Sequence, residues 1–455
     1  MKKSIKSIKV FNIKTLRVFI FSFLIIFFFG FGYAQQVDQI EYNKEKIIME
    51  VCKKIETIYP DGKLGKKVSD HILEEFKLKK YEGLKSPESF ADKLASDLVR
   101  FSKDVHFNIK YDPELAEKMR IDAENVSTAA DRSWTENQVK KNRPNNFGFK
   151  ELRILEGNIG YLKLDVFFSP KYAGDIAVAS MNFFSNCDGL IIDLRNNKGG
   201  WDEMGMFLLS YFMDEDESQT MGVSHSTLSD IYHTSVTYNY VPGHKHLDIP
   251  VYILVSKKSA SSAEGFAYRM KYLKRAILIG EKTAGAETPI EPIPVGDYFI
   301  LQIPCYENIY SSIEGPGWQG IGVEPDIEVD EDAAIYIAHK EFMKSKLKNS
   351  VKEKVLNQWI IDGINTKLIA LSYEDKDLNK FTGQYGKRRM YIKDESLYYQ
   401  NDDGPEFELI QMTKTLFQFK LTNTMRIMFF LDANQNIEGF SVQYSDGYKT
   451  KKYTK

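Results

Sequence analysis

The chain has 455 residues, long for one core, so two or three domains are expected. Hydrophobic residues make up 43%, which excludes wholesale disorder, and a formal net charge of −2 argues against nucleic acid as a main partner. The three cysteines, Cys52, Cys187 and Cys305, show no CxxC or Cys/His spacing; a zinc or disulfide framework is not expected, and a single bridge stays open.

Residues 1–34 read as a signal peptide. Lys2, Lys3, Lys6, Lys9, Lys14 and Arg17 precede a mostly apolar run over 18–31, and Gly32 and Ala34 offer a cleavage point before Gln35. As a helix the run spans about 21 Å, short of the roughly 30 Å core of a bilayer. A cleaved signal is therefore favoured over an anchor. The mature protein is expected to be exported (periplasm, outer surface or secreted), with no stable membrane span.

Residues 35–147 read as a helical domain. Ile47, Ile48, Val51 and Ile55, and again Phe90, Leu94, Leu98 and Phe101, recur at helical spacing. Pro60-Asp-Gly62 separates the first helices, and Ser86-Pro-Glu-Ser89 reads as a helix entry. Residues 134–147, rich in Asn and Lys, read as a linker. Over 148–360 strands alternate with helices: strands at 160–165, 190–194, 251–255 and 276–279, helices at 173–184, 204–212 and 261–273. That order predicts an α/β layered domain. A hairpin-like stretch at 298–305 and one or two closing helices at 333–359 follow. From 371 to 455 six short apolar runs alternate with Asp- and Gly-containing turns, which predicts a small antiparallel sheet, barrel or sandwich. No internal repeat is evident.

Three segments carry candidate chemistry. Asp193-Leu-Arg-Asn-Asn-Lys-Gly-Gly200 ends a buried strand, and its two glycines permit positive φ and close approach of backbone N–H groups. Half an oxyanion hole and a plain strand-to-helix turn fit this equally, and Asp193 and Arg195 read as structural. Ser259-Ala-Ser-Ser-Ala-Glu264 lies between a strand and a helix, where a serine hydroxyl is exposed and unsatisfied N–H groups gather. Ser259, Ser261 and Ser262 compete for the nucleophile role, each against the common use of serine as an N-cap. A serine needs a base. His225, His233, His244 and His246 read as solvated loop, His71 and His339 as surface; His106, in Asp104-Val-His106 at the abrupt end of a helical pattern, stands apart.

Together these segments, with Gly280-Glu-Lys-Thr-Ala-Gly285 and Gly322-Val-Glu-Pro-Asp-Ile327, resemble the S41 serine peptidases of the C-terminal processing peptidase superfamily, in the tricorn-core and interphotoreceptor-retinoid-binding-protein-like branch. The resemblance implies an α/β crotonase/ClpP-like peptidase core preceded by a helical bundle and followed by a small antiparallel β domain. It implies Ser261 as nucleophile, an oxyanion hole from the N–H groups of Gly199, Gly200 and Ser262, and no metal or organic cofactor. One branch pairs the serine with a lysine 25 residues on; that position is Ala286, and Lys282 is offset by four, which disfavours a Ser-Lys dyad; the tricorn-like branch uses a histidine, and the resemblance maps it onto His106 as the expected base. Where the branch often carries a glutamate to orient the histidine this chain has Gln319, and Val105 stands where a serine precedes the tricorn histidine. Gln319 through its carbonyl, or Asp104, Glu264 or Glu324, is left to orient the imidazole.

The implied function is exported serine-type endopeptidase, acting on a peptide or protein substrate. Alternatives are a weak or inactive peptide- or lipid-binding protein on the same scaffold, and an adhesion role for the C-terminal β block. No PDZ-like segment is evident, and the oligomeric state stays open.

Overall fold

The computed structural model describes residues 42–124, 129–214, 217–347, 351–370 and 377–455. The expected signal segment, 1–34, lies outside the described residues. The chain divides into two compact units, Met1–Lys46 and Ile47–Lys455. Of the first, only residues 42–46 are described, where the Asn43 side chain accepts the Lys46 N–H at 3.0 Å.

Helices α1 (Lys44–Ile58), α2 (Gly62–Lys77) and α3 (Pro87–Ser102) bury the apolar stripes that their spacing predicts, among them Val51, Ile55, Val68, Ile72, Leu94 and Leu98. Asp61 caps α2 by accepting the Lys63 and Leu64 N–H groups, and Ser86 caps α3 with Pro87 in its first turn. Lys103 ends α3 in the left-handed conformation, φ 60°. Strand β1 (Asn108–Tyr111) and helix α4 (Pro113–Glu124) follow. The stretch 134–147, read from sequence as a linker, is instead helical to its middle: α5 runs Ala129–Asn142 and a turn follows. Its sequence carries no apolar stripe, so periodicity gives no sign of it.

The α/β core is a six-stranded sheet ordered β12-β8-β7-β4-β3-β2. Here β2 is Phe149–Leu155, β3 Ile159–Leu164, β4 Gly189–Asp193, β7 Val251–Val255, β8 Ile277–Gly280 and β12 Ile327–Glu328. All neighbours are parallel except β2 and β3. Alternate residues of each strand feed opposite faces. Leu162, Leu190, Ile192, Ile253, Val255 and Leu278 pack with α6 (Pro170–Phe183), α7 (Asp202–Leu209) and α8 (Ser262–Tyr272). Tyr161, Ile191, Tyr252, Leu254 and Ile279 pack with α9 (Glu331–Lys346) and α10 (Val351–Ala370). Burial on both faces is why these strands read as unbroken apolar runs.

Two small antiparallel sheets flank the core. One is ordered β11-β5-β6, from Tyr306–Ser311, Thr220–Ser226 and Tyr232–Val236. The other is ordered β1-β10-β9, with β9 Ile290–Val295 and β10 Phe299–Pro304. The stretch 298–305, read as hairpin-like, is thus a single strand whose hairpin partner is β9. Pairing of Asn108 with Gln302 and Tyr111 with Phe299 ties the segment after α3 to this sheet.

The C-terminal block is one antiparallel meander of eight strands, more than the six read from sequence: β13–β20, Gly383–Tyr385, Arg388–Lys393, Ser396–Asn401, Glu406–Gln411, Leu416–Phe419, Met425–Leu431, Ile437–Tyr444 and Tyr453–Thr454. Phe381, Tyr385, Phe417, Phe429 and Phe440 fill it, which accounts for part of the aromatic excess. It docks on α10 where the Arg426 guanidinium lies 3.8 Å over the Trp359 ring and donates to the Trp359 carbonyl at 2.8 Å. The fold therefore has the three-part architecture expected: helices, a mixed α/β core and an antiparallel β domain.

Two histidines read as solvated are buried. His246 Nε2 lies 3.1 Å from the Met181 carbonyl and His339 Nε2 lies 2.8 Å from that of Glu156. Burial pushes both imidazoles below their ordinary range. The unfolded chain then takes up protons that the folded chain refuses, so stability falls as pH drops below about 6.5 towards the depressed folded values. Urea titrations at about pH 7 and pH 5.5 should show this loss, and the His246→Gln/His339→Gln variant should show a flatter pH dependence.

Candidate active site

The site grows from the C-terminal ends of β4 and β7. At the end of β4, Asp193 is buried and its carboxylate accepts from Arg195 Nε at 2.9 Å, Arg195 Nη2 at 2.6 Å and the Tyr161 hydroxyl at 2.6 Å. Burial alone would raise this carboxyl; the Arg195 guanidinium, with Tyr161 hydrogen-bonded, holds it below the usual range. Arg195 also donates to the Glu331 carbonyl at 2.5 Å, so the pair anchors the turn to α9.

The turn after β4 is bolted to the turn after β7. Asn197 donates to the Leu164 carbonyl at 2.9 Å, and its own carbonyl accepts the Ala260 N–H at 3.1 Å. Ser256 donates to the Arg195 carbonyl at 2.6 Å, and Ser259 to the Leu194 carbonyl at 2.8 Å. These bonds separate the competing serines. The Ser259 hydroxyl is buried and committed, since it also accepts the Ser256 N–H. Ser262 donates to the Gly200 carbonyl at 2.7 Å. Among the described residues the Ser261 hydroxyl donates to no acceptor.

Ser261 is the N-cap of α8 with φ 56° and ψ −126°. A non-glycine residue at such angles carries strain of about 1–3 kcal/mol, a feature concentrated at functional sites. Gly199 lies directly behind it: a Cβ there would fall 2.6 Å from Ser261 Cβ and 2.8 Å from the Ala260 carbonyl oxygen. At Gly200 a Cβ would fall 2.0 Å from the Phe167 carbonyl oxygen. Both glycines have positive φ, 93° and 133°. The structure thus brings Ser261, Ser262, Gly199 and Gly200 together. The Gly199 N–H donates to Asn197 Oδ1 at 2.8 Å and is not free to hold an oxyanion, a correction to its expected role. Among the described residues the Gly200 and Ser262 N–H groups have no acceptor, which leaves them as the donors beside Ser261.

His106 sits in the tight loop between α3 and β1. Asp104 is buried; its Oδ1 accepts the His106 backbone N–H at 3.0 Å and lies 3.4 Å from His106 Nδ1. Its Oδ2 accepts from the Tyr59 hydroxyl at 3.2 Å, and the Tyr59 ring stacks on Phe107. The His106 side chain is 9% exposed. Neither ring nitrogen is hydrogen-bonded, so the imidazole is not bonded to the Ser261 hydroxyl in this structure.

Gln319 is occupied elsewhere. Its Oε1 accepts the N–H groups of Glu287 at 2.8 Å and Thr288 at 3.0 Å, and the Thr288 hydroxyl at 3.2 Å. Glu287 reciprocates by accepting the Trp318 and Gln319 N–H groups. Of the four candidates to orient the imidazole, Gln319 is therefore corrected: its carbonyl oxygen is engaged by the 287–288 turn and locks two loops together. Glu324 pairs with Lys282 at 2.6 Å, and Asp104 is the carboxylate beside His106. Sequence reading missed Asn197, whose only signal is its place two residues before a glycine, where an Asx turn forms.

Among the described residues no group of three or more His, Cys, Asp or Glu is arranged to hold a metal, and all three cysteines are free and buried. At the α8 turn a serine hydroxyl that caps the helix but donates to nothing among the described residues, with two N–H groups lacking acceptors, could serve as nucleophile and oxyanion donors; the nearly buried imidazole and its carboxylate belong to the α3–β1 loop.

Comparison with known proteins bears on the segments around Gly199–Gly200, Ser261 and Gln319, and its family match does not extend to Asp104 and His106. Residues 158–329 match the model of peptidase family S41. The chain is 27% identical over 182 residues to the carboxy-terminal-processing protease of Bartonella bacilliformis, covering 39% of this chain and 40% of that protein. It is 32% identical over 171 residues to the chloroplastic carboxyl-terminal-processing peptidase 3 of Arabidopsis thaliana, covering 37% and 31%. A longer match, 24% identical over 335 residues and 65% of each chain, joins it to the probable CtpA-like serine protease of Staphylococcus haemolyticus. The chain thus spans two fifths or less of the first two relatives.

Proposed function

With a peptidase family S41 domain at residues 158–329 as premise, we propose that the protein is an exported serine-type endopeptidase built on Ser261 and His106. The observation that carries this reading is the Ser261 turn: a strained positive φ, neighbouring hydroxyls committed to structure, and a hydroxyl that among the described residues donates to nothing. Ser261 Oγ attacks a peptide carbonyl and its proton passes to the His106 imidazole. The oxyanion is held by the Gly200 and Ser262 N–H groups, while Gly199 leaves room for the serine behind them. Imidazolium then protonates the leaving amine, and a water activated by the same imidazole releases the acyl group. Forming the Oγ–imidazole hydrogen bond is a step left to substrate binding, in keeping with the loose catalytic contacts common in unliganded sites. The basic and apolar N-terminal segment supports export.

Asp104 is the orienting acid in this reading, because its Oδ1 faces Nδ1 at 3.4 Å and is held from behind by Tyr59. Asp104→Asn should lower kcat by up to about 10⁴-fold with little change in KM, since an amide stabilises neither the required tautomer nor the imidazolium. Steady-state kinetics on a fluorogenic peptide check this; an unchanged kcat would remove Asp104 from the mechanism.

A second reading, a non-catalytic peptide or lipid holder, is favoured by the unbonded His106 nitrogens. Treating the purified protein with a fluorophosphonate probe and with casein separates the two. Labelling at Ser261 with casein cleavage supports the peptidase; neither, alongside saturable ligand binding, supports the holder.

A further inference from the structure

Glu264 is fully buried, and among the described residues no cation pairs with it. Its carboxylate is instead saturated by neutral donors. Oε2 accepts the Ser261 N–H at 2.8 Å and the Ala286 N–H at 2.8 Å. Oε1 accepts the Gly285 N–H at 2.7 Å and the Thr283 hydroxyl at 2.5 Å. The Thr283 hydroxyl in turn accepts the Val323 N–H at 2.6 Å. Ala284 donates to the Ser259 carbonyl at 3.0 Å, and Gly320 to that of Gly285 at 2.8 Å. One carboxylate thus lies where the serine turn, the 283–286 segment and the 320–323 loop meet.

Burying an unpaired carboxylate is costly unless every lone pair finds a donor, so four well-directed donors imply a group kept for geometry. Ser261 sits at a strained φ that relaxes unless something holds it. The bond from its N–H to Glu264 is what fixes it, and it also keeps that N–H from competing with those of Gly200 and Ser262. The charge sits in the first turn of α8, where the helix dipole favours it.

We propose that Glu264 is the positioning residue of the site: it holds Ser261 in its attacking conformation and couples that conformation to the 283–286 and 320–323 loops. This rests on the reading of Ser261 as nucleophile. Glu264→Gln puts an amide NH₂ against donors whichever way it turns. It should lower kcat and the rate of fluorophosphonate labelling together by about 10²-fold, with KM within a few-fold and a cooperative melt retained. Glu264→Asp, which keeps the charge but shortens the reach, should recover part of the labelling rate. Labelling of Glu264→Gln at the wild-type rate overturns the inference, as does a loss that appears only in KM. Should Glu264→Gln fail to fold, Thr283→Val takes its place: a several-fold slower labelling with unchanged KM supports the role, and an unchanged rate overturns it. Wild-type protein that resists the probe removes the Ser261 reading and this inference together, whereas a labelled wild type with an equally labelled Glu264→Gln removes only this one.

Discussion

Ser261→Ala is expected to lower peptide hydrolysis by about 10⁴- to 10⁶-fold, leaving the residual rate that binding and the oxyanion donors supply without a nucleophile. The fold should be retained at a cost of about 0.5–2 kcal/mol for the lost cap of α8, because among the described residues the Ser261 hydroxyl donates to nothing and alanine keeps the Cβ beside Gly199. His106→Ala should fall into the same range, and the double variant should be no worse than either alone, since nucleophile and base act as one unit. Fluorogenic-peptide or casein turnover by the wild type and the three variants checks this. Equal rates in all four would sink the assignment. A large loss in Ser261→Ala with none in His106→Ala would keep the nucleophile and reject the base.

Arg195→Met is expected to destabilise the fold by about 3–5 kcal/mol, because it strands the Asp193 carboxylate in the core with only the Tyr161 hydroxyl and a backbone N–H. The native pair contributes stability in the window above the ordinary carboxylate range near pH 4, and that contribution is lost as pH falls through the depressed folded value of Asp193. Arg195→Met should therefore be least harmful in acid, where the stranded carboxyl is protonated. Asp193→Asn/Arg195→Met should recover part of the loss at neutral pH. Denaturant midpoints at two pH values test both statements; a midpoint for Arg195→Met equal to wild type at pH 7 would show the pair to be dispensable.

What could be read from the chain alone follows burial symmetry. Runs such as Leu190-Ile-Ile and Val251-Tyr-Ile-Leu-Val255 are buried on both faces of a parallel sheet, so they stand out without any partner being known. The strand-to-helix turn at Ser261 was visible for the same reason, being framed by two strong signals. Elements with weak or polar faces were not. Helix Ala129–Asn142 lacks an apolar stripe, and β6, Tyr232-His-Thr-Ser-Val236, is mostly exposed. His246 reads as solvated loop and His339 as surface because each lies in a stretch with charged residues, whereas their partners in space are the carbonyls of Met181 and Glu156. Gln319 by its place in a motif reads as an orienting group, but its oxygen belongs to the 287–288 turn. Gly199 illustrates the same limit: the glycine pair is legible, and which of its two N–H groups Asn197 consumes is not.

The pairing of β1 with β10 has a temporal consequence. Asn108 and its partner Gln302 are 194 residues apart, so the strand that follows His106 gains its sheet partner only after Phe299–Pro304 has been synthesised. A nascent chain therefore presents the serine turn while the histidine loop has Asp104 and Tyr59 beside it but not yet its sheet partner. Any product truncated ahead of residue 299 would keep the hydroxyl and leave the strand that follows the histidine without its sheet partner.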